Sequence, residues 1–221
     1  MKFDKPFIVI GAGGHAGVVV DLLLAHSADV LFLTDRNAER HGSNILDVPI
    51  TGTDAQISDH TPNTVYLAMG LGISGRGRML MANTQRRLDL ACAFAGRGYD
   101  FPSLIHPTAS VGRNVTLGDG VQIMAGAVIQ PNCRVGKHTV INTGATVDHN
   151  SSLGAGVHVG PGATLCGQTV IGNAAYIGAG ATVVNHRVLG DHVFVTAGAV
   201  VTTDAADSNR LSGNPAKADI Q

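Results

Sequence analysis

Three histidines stand where they could do chemistry. His149 closes the run Asn142-Thr143-Gly144-Ala145-Thr146-Val147-Asp148-His149, and Gly167 follows it at a spacing of 18. An imidazole titrates near neutrality and can act as a general base. A glycine leaves its backbone N–H open to a developing oxyanion. If that spacing is one turn of a structural repeat, base and oxyanion donor stack on each other, which is the pair that acyl transfer to an amine or hydroxyl needs. His15 sits in Gly11-Ala12-Gly13-Gly14-His15-Ala16-Gly17, after the aliphatic run Phe7-Ile8-Val9-Ile10. Glycines between a strand and a helix let a phosphate approach the backbone and the helix N-terminus. His158 stands nine positions after His149. Cys166, beside Gly167, would suit an acyl-cysteine route, but nothing around it activates a thiol.

The spacing does belong to a repeat. From Ile105, stepping by six, every position through Val201 is aliphatic, seventeen in all. A small or β-branched residue stands two positions before nearly every one, with Arg187 the misfit. This is the pattern of a β-helix built from hexapeptides, each a short strand and a turn. Two glycine ladders set the coil. Gly118, Gly136, Gly154, Gly172 and Gly190 follow their aliphatic residue directly; Gly126, Gly144, Gly162, Gly180 and Gly198 follow theirs by three. Both ladders recur every third hexad, so three hexads make one coil of a triangular prism, with glycine serving positive φ or close stacking at two corners. The third corner reads Arg113, Pro131, His149, Gly167, Asn185 and is free to carry chemistry. His158 falls in an outward column with Gln122, Val140, Tyr176 and Phe194, which reads as a subunit interface. His138 and His192 occupy equivalent corner positions and read as solvated. A zinc site of three histidines would need His138, His149 and His158 to converge, and they fall on different corners or faces.

The N-terminal half reads as a small α/β unit. Phe7–Ile10 is a strand, the glycine loop follows, and an apolar helix runs through Val18-Val19-Val20 and Leu22-Leu23-Leu24. Val30-Leu31-Phe32-Leu33 is the next strand, ending at Thr34-Asp35, an acidic residue about 20 positions past the loop, as in nucleotide-binding βαβ units. Val65-Tyr66-Leu67-Ala68 leads to a second glycine loop at Gly70, Gly72, Gly75 and Gly77, and a helix is expected from about Arg78 to Phe94. A unit of about 100 residues holds one mononucleotide-sized half, not a full dinucleotide fold. The spacing thus predicts a Rossmann-like domain over 1–103 and a β-helix domain over 104–221.

Composition agrees. Glycine occupies 29 of 221 positions and charged residues only 14%, while 44% are hydrophobic, which excludes disorder. Glycine does not recur at every third position, so the chain is not collagenous. The formal net charge of −1 offers no basic field for nucleic acid. No apolar run is long enough for a membrane span. Three cysteines without a CxxC pair fit a reduced, cytoplasmic setting.

The repeat block resembles the left-handed β-helix of the hexapeptide acyltransferases, and Gly213-Asn214-Pro215-Ala216-Lys217 resembles that family's exit after the last coil. The whole chain is similar to one subgroup, the nucleotide-sugar N-acetyltransferases of bacterial glycan synthesis, with sialic-acid O-acetyltransferases as relatives. The matching residues are the Gly11–His15 loop, Asp35, Gly70, Ile105-His106-Pro107 and the run ending at His149. The resemblance implies an acetyl-CoA-dependent N-acetyltransferase acting on a UDP- or GDP-linked amino sugar, with a 4-amino group as acceptor, no metal, and a homotrimer holding acetyl-CoA between prisms. It makes His149 the base, Gly167 the oxyanion N–H and His158 a second histidine near the acetyl group. Gly11, Gly13, Gly14, His15, Asp35, Gly70 and Asn142 become substrate contacts, while His158, Gly167, Ala181, Pro215 and Lys217 become CoA contacts. Where some relatives carry a carboxylate after the base, this chain has Asn150; that residue, Asp148 or a neighbouring chain would orient His149. Thr34-Asp35 and Leu71-Gly72 also depart from the relatives' pattern and leave the nucleobase open. The alternatives are O-acetylation of a sialic-acid-type sugar and a non-catalytic nucleotide-binding scaffold.

Overall fold

The computed structural model describes residues 2–73 and 78–218. The expected Gly75 and Gly77 lie outside the described residues. The first unit is a five-stranded sheet. Strand β1 (Phe7–Ile10) is followed by helix α1 (Gly14–Ala25), β2 (Val30–Thr34), β3 (Asn44–Ile45), β4 (Val48–Gly52) and β5 (Tyr66–Met69), and then by helix α2 (Arg78–Ala95). The order is β3-β4-β2-β1-β5, with β1 parallel to both β2 and β5. β1 is buried along its whole length, so it reads as an unbroken apolar run rather than an alternation. The β3–β4 hairpin has no clear sequence signal. β3 spans only Asn44 and Ile45, and the alternation of buried Val48, Ile50 and Gly52 with exposed Pro49 and Thr51 in β4 is short and carries a proline.

From Leu104 the chain becomes a prism. Each hexad forms a two-residue strand whose second residue is the aliphatic one, as at Thr146–Val147 and Thr164–Leu165. Strands one coil apart pair in parallel and in register, for example Thr146↔Thr164 and His158↔Tyr176. Three parallel sheets result. The face with six strands is about 24 Å tall at ~4.8 Å per step. From Val121 to Val201 the interior is mostly aliphatic and alanine, with Cys133 among them and Thr139, Ser151 and Thr169 also buried. Leu211 prolongs the column past Val201 after a shorter final coil, pairing with Val195.

The two glycine ladders have different physical causes. From Asn114 to Gly198 every sixth residue has positive φ, and Gly126, Gly144, Gly162, Gly180 and Gly198 serve that need at one corner, while Asn114, Asn132 and Asn150 serve it at another. The other ladder serves close stacking: a Cβ on Gly172 would lie 2.4 Å from the backbone carbon of Gly190.

The two units share a core. Leu104, Met124 and Val140 on one prism face belong to the same buried cluster as Phe7, Val19 and Leu23. His26, at the end of α1, bonds the Ile105 carbonyl through Nε2 at 2.7 Å. The column expected at a subunit interface is therefore largely an interface within the chain. Gln122, Val140 and His158 are buried beneath the first unit, and only Tyr176 stays half-buried. His138 corrects another expectation. It is 2% exposed and meets Phe101 edge-on at 5.1 Å, so it is not solvated.

Candidate active site

A cleft of about 810 Å³ runs along the junction of the two units. The first unit lines it with the glycine loop, Asp35, Arg36, Arg40 and Asp54, and the prism with Asn142, Thr143, His158 and Tyr176. The loop is built for an anion. Gly13 precedes α1 without a side-chain cap, and the first turn of α1 carries no acidic residue. The opening N–H groups of a helix have no partner inside it, and they carry the positive end of its dipole. A Cβ on Gly13 or Gly14 would meet nothing within 4 Å, so the loop opens toward the cleft. Gly11 has a different task. Its φ is +92° and a Cβ there would strike Leu71, while its N–H is already taken by Thr34 Oγ1 at 3.2 Å. Thr34 passes the bond on to Asp54 at 2.6 Å. Gly70 lines the cleft, but its missing side chain is explained by packing: a Cβ would lie 2.6 Å from Val9 and 2.8 Å from the Gly11 carbonyl. Asp35 accepts from the Asn37 N–H at 2.9 Å and pairs with Arg40 at 3.2 Å.

On the prism, Asn142 Oδ1 accepts the Thr143 N–H at 2.8 Å, leaving the amide donor for the cleft. His158 stacks flat on Tyr176 at 5.1 Å, and Tyr176 stacks on Phe194 at 5.2 Å. Burial, then the neighbouring His15 and the Arg87 charge, push His158 down to about 3, so it is neutral at pH 7. His15 is likewise lowered to about 4, first by burial and then by Arg87.

Arg87 and Gln122 are among the site components that sequence reasoning missed, as are Arg36, Arg40, Asp54 and Arg86 in the lining. Arg87 comes from α2 and is 4% exposed. Its guanidinium donates to the Leu71 carbonyl at 3.1 Å, the His138 carbonyl at 2.6 Å and Gln122 Oε1 at 3.1 Å. No ion pair among the described residues includes it. Burial lowers it to about 10, and it remains charged. Nothing in the helical stretch Gln85-Arg86-Arg87-Leu88 marks which arginine turns inward. Gln122, a polar side chain in a column that faces protein, was the one available signal.

His149 and Gly167 do stack. A Cβ on Gly167 would lie 2.7 Å from both Cε1 and Nε2 of His149, so the ring lies against the glycine one coil away. The Gly167 N–H has no acceptor among the described residues, while the next N–H, of Gln168, bonds the His149 carbonyl at 2.9 Å. Asp148 Oδ1 accepts the His149 backbone N–H at 2.8 Å. The Asn150 amide nitrogen Nδ2 faces His149 Nδ1 at 2.9 Å. The two ends of an amide are isosteric, and the base role requires the flipped amide: only with Oδ1 toward Nδ1–H does Asn150 leave the Nε2 lone pair for a proton. His149 and Gly167 are not part of the cleft lining: they belong to the corner after Val147 and Leu165, whereas Asn142, Thr143 and Pro161 belong to the preceding corner.

Of the CoA-contact residues that the resemblance implied, Pro215 and Lys217 are exposed at the exit hairpin. Ala181 is 0% exposed in the prism core; its N–H bonds the Gly178 carbonyl and its carbonyl accepts from the Thr164 N–H. Among the described residues no group of three or more His, Cys, Asp or Glu is placed to hold a metal ion, and no helix is long and apolar enough to cross a membrane.

Two family profiles match, described as the PglD N-terminal domain over residues 6–78 and the GMPPB C-terminal domain over residues 111–209. No curated protein matches. Among solved structures, a histidine-to-asparagine mutant of perosamine N-acetyltransferase from Caulobacter crescentus, in complex with CoA and GDP-perosamine, is 33% identical over 99% of each chain, with a TM-score of 0.88. The acetyltransferase domain of PglB from Neisseria gonorrhoeae FA1090, in complex with acetyl coenzyme A, is 33% identical over 98% of this chain and 100% of that one, with a TM-score of 0.87. WeeI from Acinetobacter baumannii AYE, 20% identical with a TM-score of 0.80, shares the fold. An α/β unit followed by a left-handed parallel β-helix, matched end to end at this identity, means that the chain belongs to the hexapeptide-repeat nucleotide-sugar N-acetyltransferases.

Proposed function

We propose that this enzyme transfers the acetyl group of acetyl-CoA to the amino group of a nucleotide-linked sugar. The observation that carries the reading is one cleft lined both by an uncapped helix N-terminus and by Asn142 and His158 of the prism. A diphosphate suits the open loop at Gly13 and Gly14, with Arg36 and Arg86 adding positive charge along the lining. The sugar then projects toward the prism.

His149 acts as general base in this reading. The amine attacks the thioester carbonyl carbon while His149 Nε2 takes a proton from nitrogen. The Gly167 N–H meets the oxyanion, and the C–S bond breaks to release the CoA thiolate, which recovers the proton from His149. Asn150 orients the imidazole. Lys217, exposed at the exit, offers a charge for the CoA phosphates.

A homotrimer completes the site. In one chain the cleft and the His149–Gly167 pair occupy successive corners, so a second copy's prism edge is needed to join base and acceptor. The free thiols of Cys92, Cys133 and Cys166 and the use of acetyl-CoA suit the cytoplasm.

The test is acetyl-CoA consumption against UDP-, GDP- and dTDP-linked amino sugars, with product mass measured. Turnover with a gain of one acetyl group on the amino sugar is expected. Acetylation of a free sugar hydroxyl with no nucleotide dependence, or no CoA release with any acceptor, would overturn the reading.

A further inference from the structure

The orientation of the Gln122 amide is fixed from both ends. Arg87 Nη2 can only donate, so the group facing it at 3.1 Å is Oε1. The Met69 carbonyl can only accept, so the group facing it at 2.9 Å is Nε2. His15 Nε2 lies 3.0 Å from that same Oε1. An oxygen with no hydrogen must receive one, so His15 carries its proton on Nε2. A neutral imidazole protonated there has a bare lone pair on Nδ1. That atom makes no hydrogen bond among the described residues and is not a sealed orphan, as His138 Nδ1 is, and His15 lines the cleft.

We infer that Arg87 and Gln122 are positioning residues that lock His15 as the Nε2–H tautomer, so that Nδ1 presents an acceptor to a hydroxyl or ammonium hydrogen of the bound sugar. This rests on the cleft holding a nucleotide-linked amino sugar. It also narrows what His15 does. A phosphate oxygen is an acceptor, and a lone pair aimed at it repels it; the phosphates therefore belong to the N–H groups of the loop and His15 to the sugar. Arg87 contributes twice, because its charge, next to burial, also keeps His15 neutral. Lysine, a single ammonium on a flexible stem, cannot reproduce the three-way fork to Leu71, His138 and Gln122.

The tautomer is read in the free protein by long-range nitrogen–proton NMR, with the His15 signals assigned by their loss in His15→Asn. The wild type is expected to show a protonated Nε2 and a bare Nδ1. Gln122→Met removes the acceptor and should mix the tautomers. It should raise KM for the nucleotide sugar by about 3- to 10-fold, the value of one neutral hydrogen bond, while KM for acetyl-CoA stays unchanged. Gln122→Glu gives up the donor to the Met69 carbonyl but keeps an acceptor for His15, so, read at a pH where His15 is neutral, it should restore the Nε2–H signature, a rescue that a role in packing alone would not produce. A wild-type Nδ1–H tautomer, an unaltered tautomer in folded Gln122→Met, or equal rises in both KM values would overturn the inference. If the Nε2–H tautomer is found and no nucleotide sugar binds, the reading of the cleft fails and takes the sugar contact with it.

Discussion

Gly167→Ala isolates the pairing of base and glycine. The position has no left-handed backbone requirement, so alanine is conformationally acceptable there. The new methyl would lie 2.7 Å from His149 Cε1 and Nε2, against an ordinary carbon contact of ~3.5–4.0 Å. The imidazole must retreat by about 1 Å, and a misplacement of that size costs about 10²-fold in rate. His149 and Asn150 are exposed, so the ring swings into solvent and the fold changes by less than about 0.5 kcal/mol. Steady-state turnover should fall by about 10²-fold with the melting temperature unchanged. In a His149→Ala background, itself slowed by about 10²–10⁴-fold, Gly167→Ala should add almost nothing, because the two changes remove the same interaction. Wild-type turnover in Gly167→Ala, or a full additional loss in the double variant, would refute a mechanism that works through displacement of the ring.

Other consequences follow from the geometry. At the open ladder, Gly180→Asn should cost under about 1 kcal/mol, because Asn114, Asn132 and Asn150 adopt the same φ near +60°; at the stacked ladder, Gly172→Ala should cost about 1–3 kcal/mol by overpacking against Gly190, and urea titration separates the two. Folded-state lowering of His15 and His138 to about 4 and of His158 to about 3 means that the unfolded chain binds more protons below ~6.5. Stability should therefore be full above about pH 6.5 and fall toward pH 4, by up to about 1.36 kcal/mol per pH unit for each histidine; a flat urea midpoint from pH 7 to 5 would contradict their burial beside Arg87. Co-expressed His149→Ala and His158→Ala chains should be more active than a mixture of the two separately purified variants, since mixed trimers restore one intact pairing; equal activity in verified mixed trimers would count against a shared site.

The hexads, the three-hexad coil and the stacking of His149 on Gly167 were legible because a solenoid repeats local geometry. Each residue's neighbour is fixed by a constant offset, and no long-range contact needs to be known. The glycine loop, α1 and the acidic residue at the end of β2 were legible for a similar reason, since turn chemistry and apolar runs are local. What the repeat could not convey is which face another part of the chain would cover. The column of Gln122, Val140 and His158 is outward by its period, and only the docking of β1, α1 and α2 turns it inward. That docking buries His138, brings Arg87 onto the Leu71 and His138 carbonyls and Gln122 and makes neighbours of His15 and His158, which lie in different halves of the sequence. Their tautomers and charge states follow from burial and from a guanidinium with no carboxylate partner among the described residues, quantities that exist only once the two units share one core.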